Sequence, residues 1–510
     1  MTSRLILPGA LSEPKQIAEA VRRQCADLPD LLPPDPAAEA VAQLGRVASV
    51  TKFVTARIRE GLVIESREVL SARKSRTATR PVTPLSFTER VILDHLIQVL
   101  ADAVEVDELS DESISVPYAG LQQAPIEAEA AWVVGADINS YFQYVDHQTL
   151  VDQIIGRTGN WELADSIRSG LGGVMGLDVG LPQGFRPMRL LGDIYLAACI
   201  RRLRRAGYQS WAHSDDLRIA VDSERDAHEA LQLLDESARS LGLSLNTEKC
   251  WVRAADEYAG WSARPDQLLT EFSDAQVLEV SLWLLHSEYE DDEEEDDEEE
   301  DDDGPTPEEI RGTVRRVFEW VEGKPPSWGG AEAWSHRVVI TEALRKGRNH
   351  GEPAGLPVLH AIVAEFPQLT PEVSRYFKAT AHMDPETAGL SFRRLVRPTG
   401  FVSAWQLAWL AWAAPMQELR SGIAPVFETV AEIWPHDIAG AWAQSVLLDQ
   451  GRVSVGDLIR SLDRAESPIA RNVLLAAIVR GEPTMTNKRR QALASDADER
   501  AVVEYAGSQR

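Results

Sequence analysis

The segment GYQSWAHSDDLRIAV, Gly207 to Val221, reads as two short strands closed by a tight acidic turn, because apolar or aromatic residues flank Ser214-Asp215-Asp216 on both sides. A hairpin of this kind carries two adjacent carboxylates at its tip. Two such charges about 4 Å apart repel by about 4 kcal/mol at an effective dielectric of ~20, so a bound cation is the natural reason to keep them together. Upstream, Ala131 to Ile138 (AWVVGADI) is a short apolar run with an acid near its end, which places Asp137 at the tip of a buried strand. Arg189 to Arg202 and Asp226 to Leu241 have helical spacing, and a glycine turn leads from the second to a strand near Leu243 to Leu245. Further helices are expected over Pro14 to Cys25, Ala37 to Glu60 and Val91 to Val104. The order strand, helices, hairpin, helix, strand predicts an α+β layout with one sheet face covered by helices.

At 510 residues the chain exceeds what one core organises, so several domains are expected. The formal charge of −28 argues against nucleic acid at first sight. Fourteen of those charges, however, form one uninterrupted run from Glu290 to Asp303, and the rest of the chain carries −14. Lys52 to Arg90 holds nine Lys and Arg against four Glu, and Arg201, Arg202, Arg204 and Arg205 form a second basic island. Such islands can line a nucleic-acid path. Cys25, Cys199 and Cys250 are too few and too scattered for a disulfide framework, which fits a reducing, cytoplasmic setting. No stretch approaches the roughly 18 apolar residues that a membrane helix needs.

The composition changes abruptly at Ser287, since self-repelling carboxylates cannot build a core. Four units are expected: residues 1–50 as an N-terminal helical segment, 51–286 as the α+β unit, 287–306 as a solvated acidic linker, and 307–510 as an all-α domain. VSAWQLAWLAWAA and SPIARNVLLAAIVR suit stacked helical hairpins of a HEAT-like kind, with Trp405, Trp409 and Trp412 as core packing.

Phosphoryl transfer to a 3′-hydroxyl uses two Mg2+ ions about 3.5–4 Å apart held by shared carboxylates, and Asp137, Asp215 and Asp216 from two strands answer that requirement. The material around them resembles the reverse transcriptase family. DINSYF resembles the first motif of its palm, GLPQGFRPMRLLGDIYLAACI (Gly180 to Ile200) the PQG motif and its helix, HSDDL the YxDD hairpin, and LGLSLNTEKC (Leu241 to Cys250) the loop that follows. TRPVTPLSFTERVILDHL (Thr79 to Leu96) resembles the fingers motif. The resemblance covers Lys52 to Arg253 and implies a right-hand fingers and palm unit.

By that resemblance Asp137 and Asp215 would be metal ligands with the Ile138 main chain beside them, and Asp216 the supporting acid. Phe142 would be the steric gate that selects deoxynucleotides, Gln183 and Gly184 would shape the nucleotide pocket, Arg80 and Arg90 would grip the triphosphate, and Lys249 would be a general acid toward pyrophosphate. Three positions depart from the family: His213 before the acids, Met188 in place of a serine, and the bulky Phe185. Metal chemistry is expected intact and template handling altered.

No maturase or retron thumb is visible after the palm. A long helical domain there resembles the abortive-infection and defence-associated reverse transcriptases of the AbiK type. That resemblance implies dNTPs and nucleic acid, including a small noncoding RNA, as partners, homo-oligomers, an antiphage role, and DNA synthesis that is templated or untemplated. With no thumb to clamp a primer, Tyr118, Tyr289 and Tyr505 are candidate priming hydroxyls. A terminal-transferase-like enzyme and an inactive RNA-binding scaffold are the alternatives.

Overall fold

The computed structural model describes residues 4–5, 7–26, 31–63, 68–104, 116, 118–270, 306–323, 333–396, 402–414, 423–434 and 437–509. The acidic run and Tyr289 lie outside these residues. Three N-terminal helices, α1 (Pro14–Ala26), α2 (Pro36–Gln43) and α3 (Val47–Glu60), precede the sheet elements. The single helix expected over Ala37 to Glu60 is two, because Gly45 takes φ +60° and breaks the run. The short strands β1 (Arg4–Leu5) and β2 (Leu62–Val63) pair with each other, and β3 (Leu70–Arg73) and β4 (Thr79–Val82) form a separate hairpin. Helix α4 (Phe87–Val104) follows, then α5 (Tyr118–Glu127).

The main sheet is built from β5 (Trp132–Asp137), β6 (Gln209–His213), β7 (Asp216–Val221) and β8 (Trp251–Ala254), all antiparallel in the order β6-β7-β5-β8. Between β5 and β6 run α6 (His147–Thr158), α7 (Trp161–Met175) and α8 (Met188–Arg205), and α9 (Glu224–Ser240) lies between β7 and β8. The helix starts are written in the sequence: Asp146 accepts from Thr149 N at 2.7 Å and Ser223 from Asp226 N at 3.2 Å. Side chains alternate along β5, so Val134 and Ala136 are buried on one face while Gly135 and Asp137 share the other. Helix α9 packs on the sheet through Ala227, Ala230 and Leu234.

The strand expected near Leu243 to Leu245 is displaced. Leu245 makes only an isolated bridge with Ile138, and β8 begins six residues later at Trp251. The backbone N–H of Asn246 is drawn onto Asp137 O at 2.8 Å, and a turn from Asn246 to Lys249 then redirects the chain before pairing resumes.

The C-terminal region is helical. The helices Ala333–His350, Thr370–Thr380, Ala404–Ala413, Ile438–Asp449, Pro468–Gly481 and Ala497–Ser508 pack each on the next. Trp405 and Trp409 are buried in this stack, and Trp412 is partly buried with the Lys378 ammonium 3.9 Å from its ring centre. The stack does not stand apart from the rest. Its last helix packs on α2 and α3, Arg46 pairs with Glu504, and the Trp405 indole N–H donates to Leu31 O at 2.6 Å. No helix among the described residues is long and apolar enough to cross a membrane.

Where the N-terminal helices, α4 and the last helix meet, carboxylates are buried together. Thr88 Oγ1 donates to Asp498 Oδ2 at 2.7 Å, and Asn472 Nδ2 to Asp35 Oδ1 at 3.0 Å. Burial, then the neighbouring Asp496 and Asp35, pushes the Asp498 carboxyl up from 3.8 to about 7. A raised carboxyl binds its proton more tightly folded than unfolded, so this group stabilises the fold at low pH and loses that contribution as pH rises from about 4 to about 7. Asp498→Asn is neutral throughout. Thermal melts should place it close to the natural protein at about pH 4 and above it at about pH 8; a lower melting temperature at the higher pH would contradict the buried-charge account.

Candidate active site

Antiparallel register sets Asp137 directly opposite Asp216, and the 214–215 turn carries Asp215 against the same strand end, where Ile138 N donates to Asp215 O at 3.1 Å. Ser214 adopts φ +54° to close this turn. Both oxygens of Asp137 are engaged: Asn246 Nδ2 donates to Oδ1 at 3.0 Å, and the Lys249 ammonium lies 2.7 Å from Oδ2. Burial, then Asp216 and Asp137, pushes the Asp215 carboxyl up to about 6. Burial pulls the Lys249 ammonium down, but Asp137, Asp216 and Asp215 outweigh it and hold Lys249 above its ordinary range. Asp216 and Asp137 thus oppose the ionisation of an Asp215 carboxyl that burial already disfavours.

A further cation faces them. Lys74, in the loop of the β3–β4 hairpin, has Lys249, Asp215, Arg80 and Asp137 around its ammonium; burial and then Lys249 lower it, and Asp215 opposes them. Lys74 and Asn246 were not singled out from the sequence, although one lies in the basic island and the other three residues before Lys249. Both are brought to Asp137 by chain reversals that have no local signature.

Phe142 follows in the turn Tyr141–Gln143, with its ring edge-on to Tyr141 at 5.5 Å between centroids and only 6% of the residue exposed. Its carbonyl accepts from Leu181 N at 2.7 Å, which ties it to the loop bearing Gln183 and Gly184. Gly184 takes φ +80° and presses on Leu31, whose Cβ would lie 3.0 Å from an added methyl. Arg80 pairs in register with Ala72 on the hairpin, on the side of Lys74.

Arg90 is placed elsewhere. It is 7% exposed, its Nη2 donates to Gln24 O at 3.4 Å, and its charge acts on Asp35 and Cys25 in the helical junction. His213 is pinned by its Nδ1, which donates to Val116 O at 2.9 Å; Nδ1 then has no lone pair for Arg189 Nη2, 3.2 Å away, which donates to the same carbonyl at 3.4 Å. Met188 and Phe185 are core residues. Of the candidate primers, Tyr505 donates to Glu39 Oε1 at 3.0 Å on the surface of α2, and Tyr118 opens α5.

Two residues before Asp137, the Trp251 ring is seated against Gly135. A methyl group there would sit 2.1 Å from a ring carbon. Arg218, opposite Gly135 in register, holds its guanidinium 5.1 Å from the same ring, and Trp251 stacks on Tyr258 at 5.6 Å. The floor beside the acids is thus a cation–aromatic stack that requires glycine at its centre.

Carboxylate oxygens are the hard donors that Mg2+ takes. Among the described residues no three His, Cys, Asp or Glu side chains converge closely enough to hold a metal by themselves. Mg2+ commonly takes one or two carboxylates and completes its shell with substrate phosphate and water. Residues 72–265 match the family model described as reverse transcriptase (RNA-dependent DNA polymerase). This stretch contains the acids, Lys74, Lys249, Phe142 and the Gln183 loop, and the match supports nucleotidyl transfer by an RNA-directed DNA polymerase in general terms. No curated protein matches the chain significantly.

Gly135→Ala should drive Trp251 off its seat and destabilise the protein by about 1–3 kcal/mol, the usual range for overpacking. Denaturant melts monitored by circular dichroism test this, and an unchanged midpoint would show that the ring moves freely.

Proposed function

We propose that this chain is a DNA polymerase that joins deoxynucleoside monophosphates to a 3′-hydroxyl under the direction of RNA, with Asp137, Asp215 and Asp216 holding two Mg2+ ions. The observation that carries the reading is the register of Asp137 against Asp216 with Asp215 crowded beside them, its carboxyl pushed up by burial and then by these two acids. When bound, the ions supply activation of the attacking hydroxyl and neutralisation of the leaving pyrophosphate.

The chain's own residues do the rest. Lys74 approaches the acids from the hairpin with Arg80 beside it, and the two present cations to an incoming triphosphate. Lys249 holds Asp137 until the nucleotide arrives, and from that position its proton is available to the pyrophosphate oxygen. Phe142 stands where a ring beneath the sugar excludes a 2′-hydroxyl, and its tie to Leu181 fixes it relative to Gln183 and Gly184. A helical region that follows the polymerase unit supports the further reading of a defence-associated enzyme that copies a small RNA.

Asp215→Ala or Asp216→Ala should reduce Mg2+-dependent dNTP incorporation to background while circular dichroism stays native; incorporation by the double variant would remove these acids from the site. Phe142→Ala should admit ribonucleotides, read from parallel dNTP and NTP incorporation, and unchanged sugar selectivity would mean that the ring only packs.

A further inference from the structure

A two-stranded hairpin is marginal in water unless its apolar face is covered. The face of β3–β4 that carries Leu70, Ala72 and Val82 is buried, and what β3 packs on is the C-terminal helix Ala404–Ala413 and the short turn Pro367–Leu369. Two polar contacts reinforce this seat. In the loop, Arg76 pairs with Glu365 at 3.2 Å; Arg76 is largely exposed, so this contact adds little. The other lies just before β3. The helix Ile438–Asp449 lacks a side-chain cap from its own Asp437, and the Glu68 carboxylate supplies one, with Oε2 accepting from Ile438 N at 3.1 Å. Ser467, which caps the helix Pro468–Gly481, also donates to Glu68.

The loop itself is tightly made. Lys74 N and Ser75 N both donate to Ala78 O, and Ser75 Oγ accepts from Ala78 N at 3.0 Å. Little play therefore separates the hairpin's seat from the backbone that carries Lys74. The same C-terminal helix reaches the other side of the pocket as well, since its Trp405 holds Leu31, on which Gly184 packs.

We propose that the C-terminal helical region is the brace that sets the position of the β3–β4 hairpin, with Glu68 as a positioning residue that keeps Lys74 over the acids without touching substrate. This rests on the polymerase reading above. The brace replaces a freely hinged nucleotide-binding arm by one whose resting position already faces the acids.

The test uses the full chain. Glu68→Ala should raise KM for dNTP about tenfold with kcat within about twofold, the pattern of lost nucleotide binding. Burial, then Asp437, pushes the Glu68 carboxyl up to about 7, so Glu68→Gln keeps an acceptor close in form to the natural group and should stay within about twofold of it. In a Lys74→Ala background Glu68→Ala should add less than about twofold, because both act through one ammonium. Independently of activity, amide hydrogen exchange over residues 70–82 should quicken in Glu68→Ala while β5 and β7 keep their protection. If that variant loosens the sheet as well, Glu68→Asp, which keeps the carboxylate but draws it back by one methylene from Ile438 N, carries the exchange test. Unchanged exchange in the hairpin, or a KM rise that persists in full without Lys74, overturns the brace. A natural protein that incorporates no dNTP would sink the polymerase reading instead, and the exchange arm would then decide the brace alone.

Discussion

Antiparallel register between β5 and β7 is the constraint from which the site follows. It sets Asp137 opposite Asp216, and the same pairing, counted two residues back, sets Gly135 opposite Arg218. A slip of one residue would turn every side chain of β7 to the other face, separating the acids and driving Arg218 into the apolar layer under α9. The register is held by burial on that layer and by the close seat of Trp251 on Gly135, which tolerates no side chain larger than hydrogen. Charge placed by such a frame cannot relax. Three carboxylates remain together although each disfavours the next, and Lys249, Lys74 and Asn246 are gathered around them as partial compensation.

The helical region has a structural part in the same arrangement. It meets the N-terminal helices through its last helix, the hairpin through Ala404–Ala413 and Glu365, and Trp251 of β8 through Trp261 in the helix Ala255–Ser262, which stacks on Trp334 at 4.8 Å. Contacts this dispersed along the sequence give the two halves a shared set of buried groups. Asp35, Arg90 and Asp498 belong to three different segments and are buried against one another's charge. Arg90 illustrates how a motif position can be drawn into such a junction, where it lies in the field of Asp35 and donates to the Gln24 carbonyl.

Much of this could be read from local pattern. The hairpin around Asp215, the strand ending at Asp137, the helices α1, α4, α8 and α9 and the burial of Trp405 and Trp409 all follow from alternation or helical spacing of apolar residues. Less legible were features whose cause is a partner distant in sequence. The β3–β4 hairpin has only Leu70, Ala72 and Val82 as an apolar face and is stable against a helix more than 300 residues away. The strand that completes the sheet begins at Trp251 rather than near Leu243, because Asn246 is claimed by Asp137 first.

The chain's own order of residues determined which side chains carry negative charge at strand tips, which segments are helical and where the acidic run divides the composition, since periodicity and adjacency are local properties. Tertiary structure alone decided that Lys74 and Asn246 join Asp137, that Arg90 turns to Asp35, and that Glu68 caps a helix beginning at Ile438. Each of these depends on electrostatic and hydrogen-bond partners that only the folded backbone brings within reach, and Coulomb attraction and capping act on distance in space, not on separation along the chain.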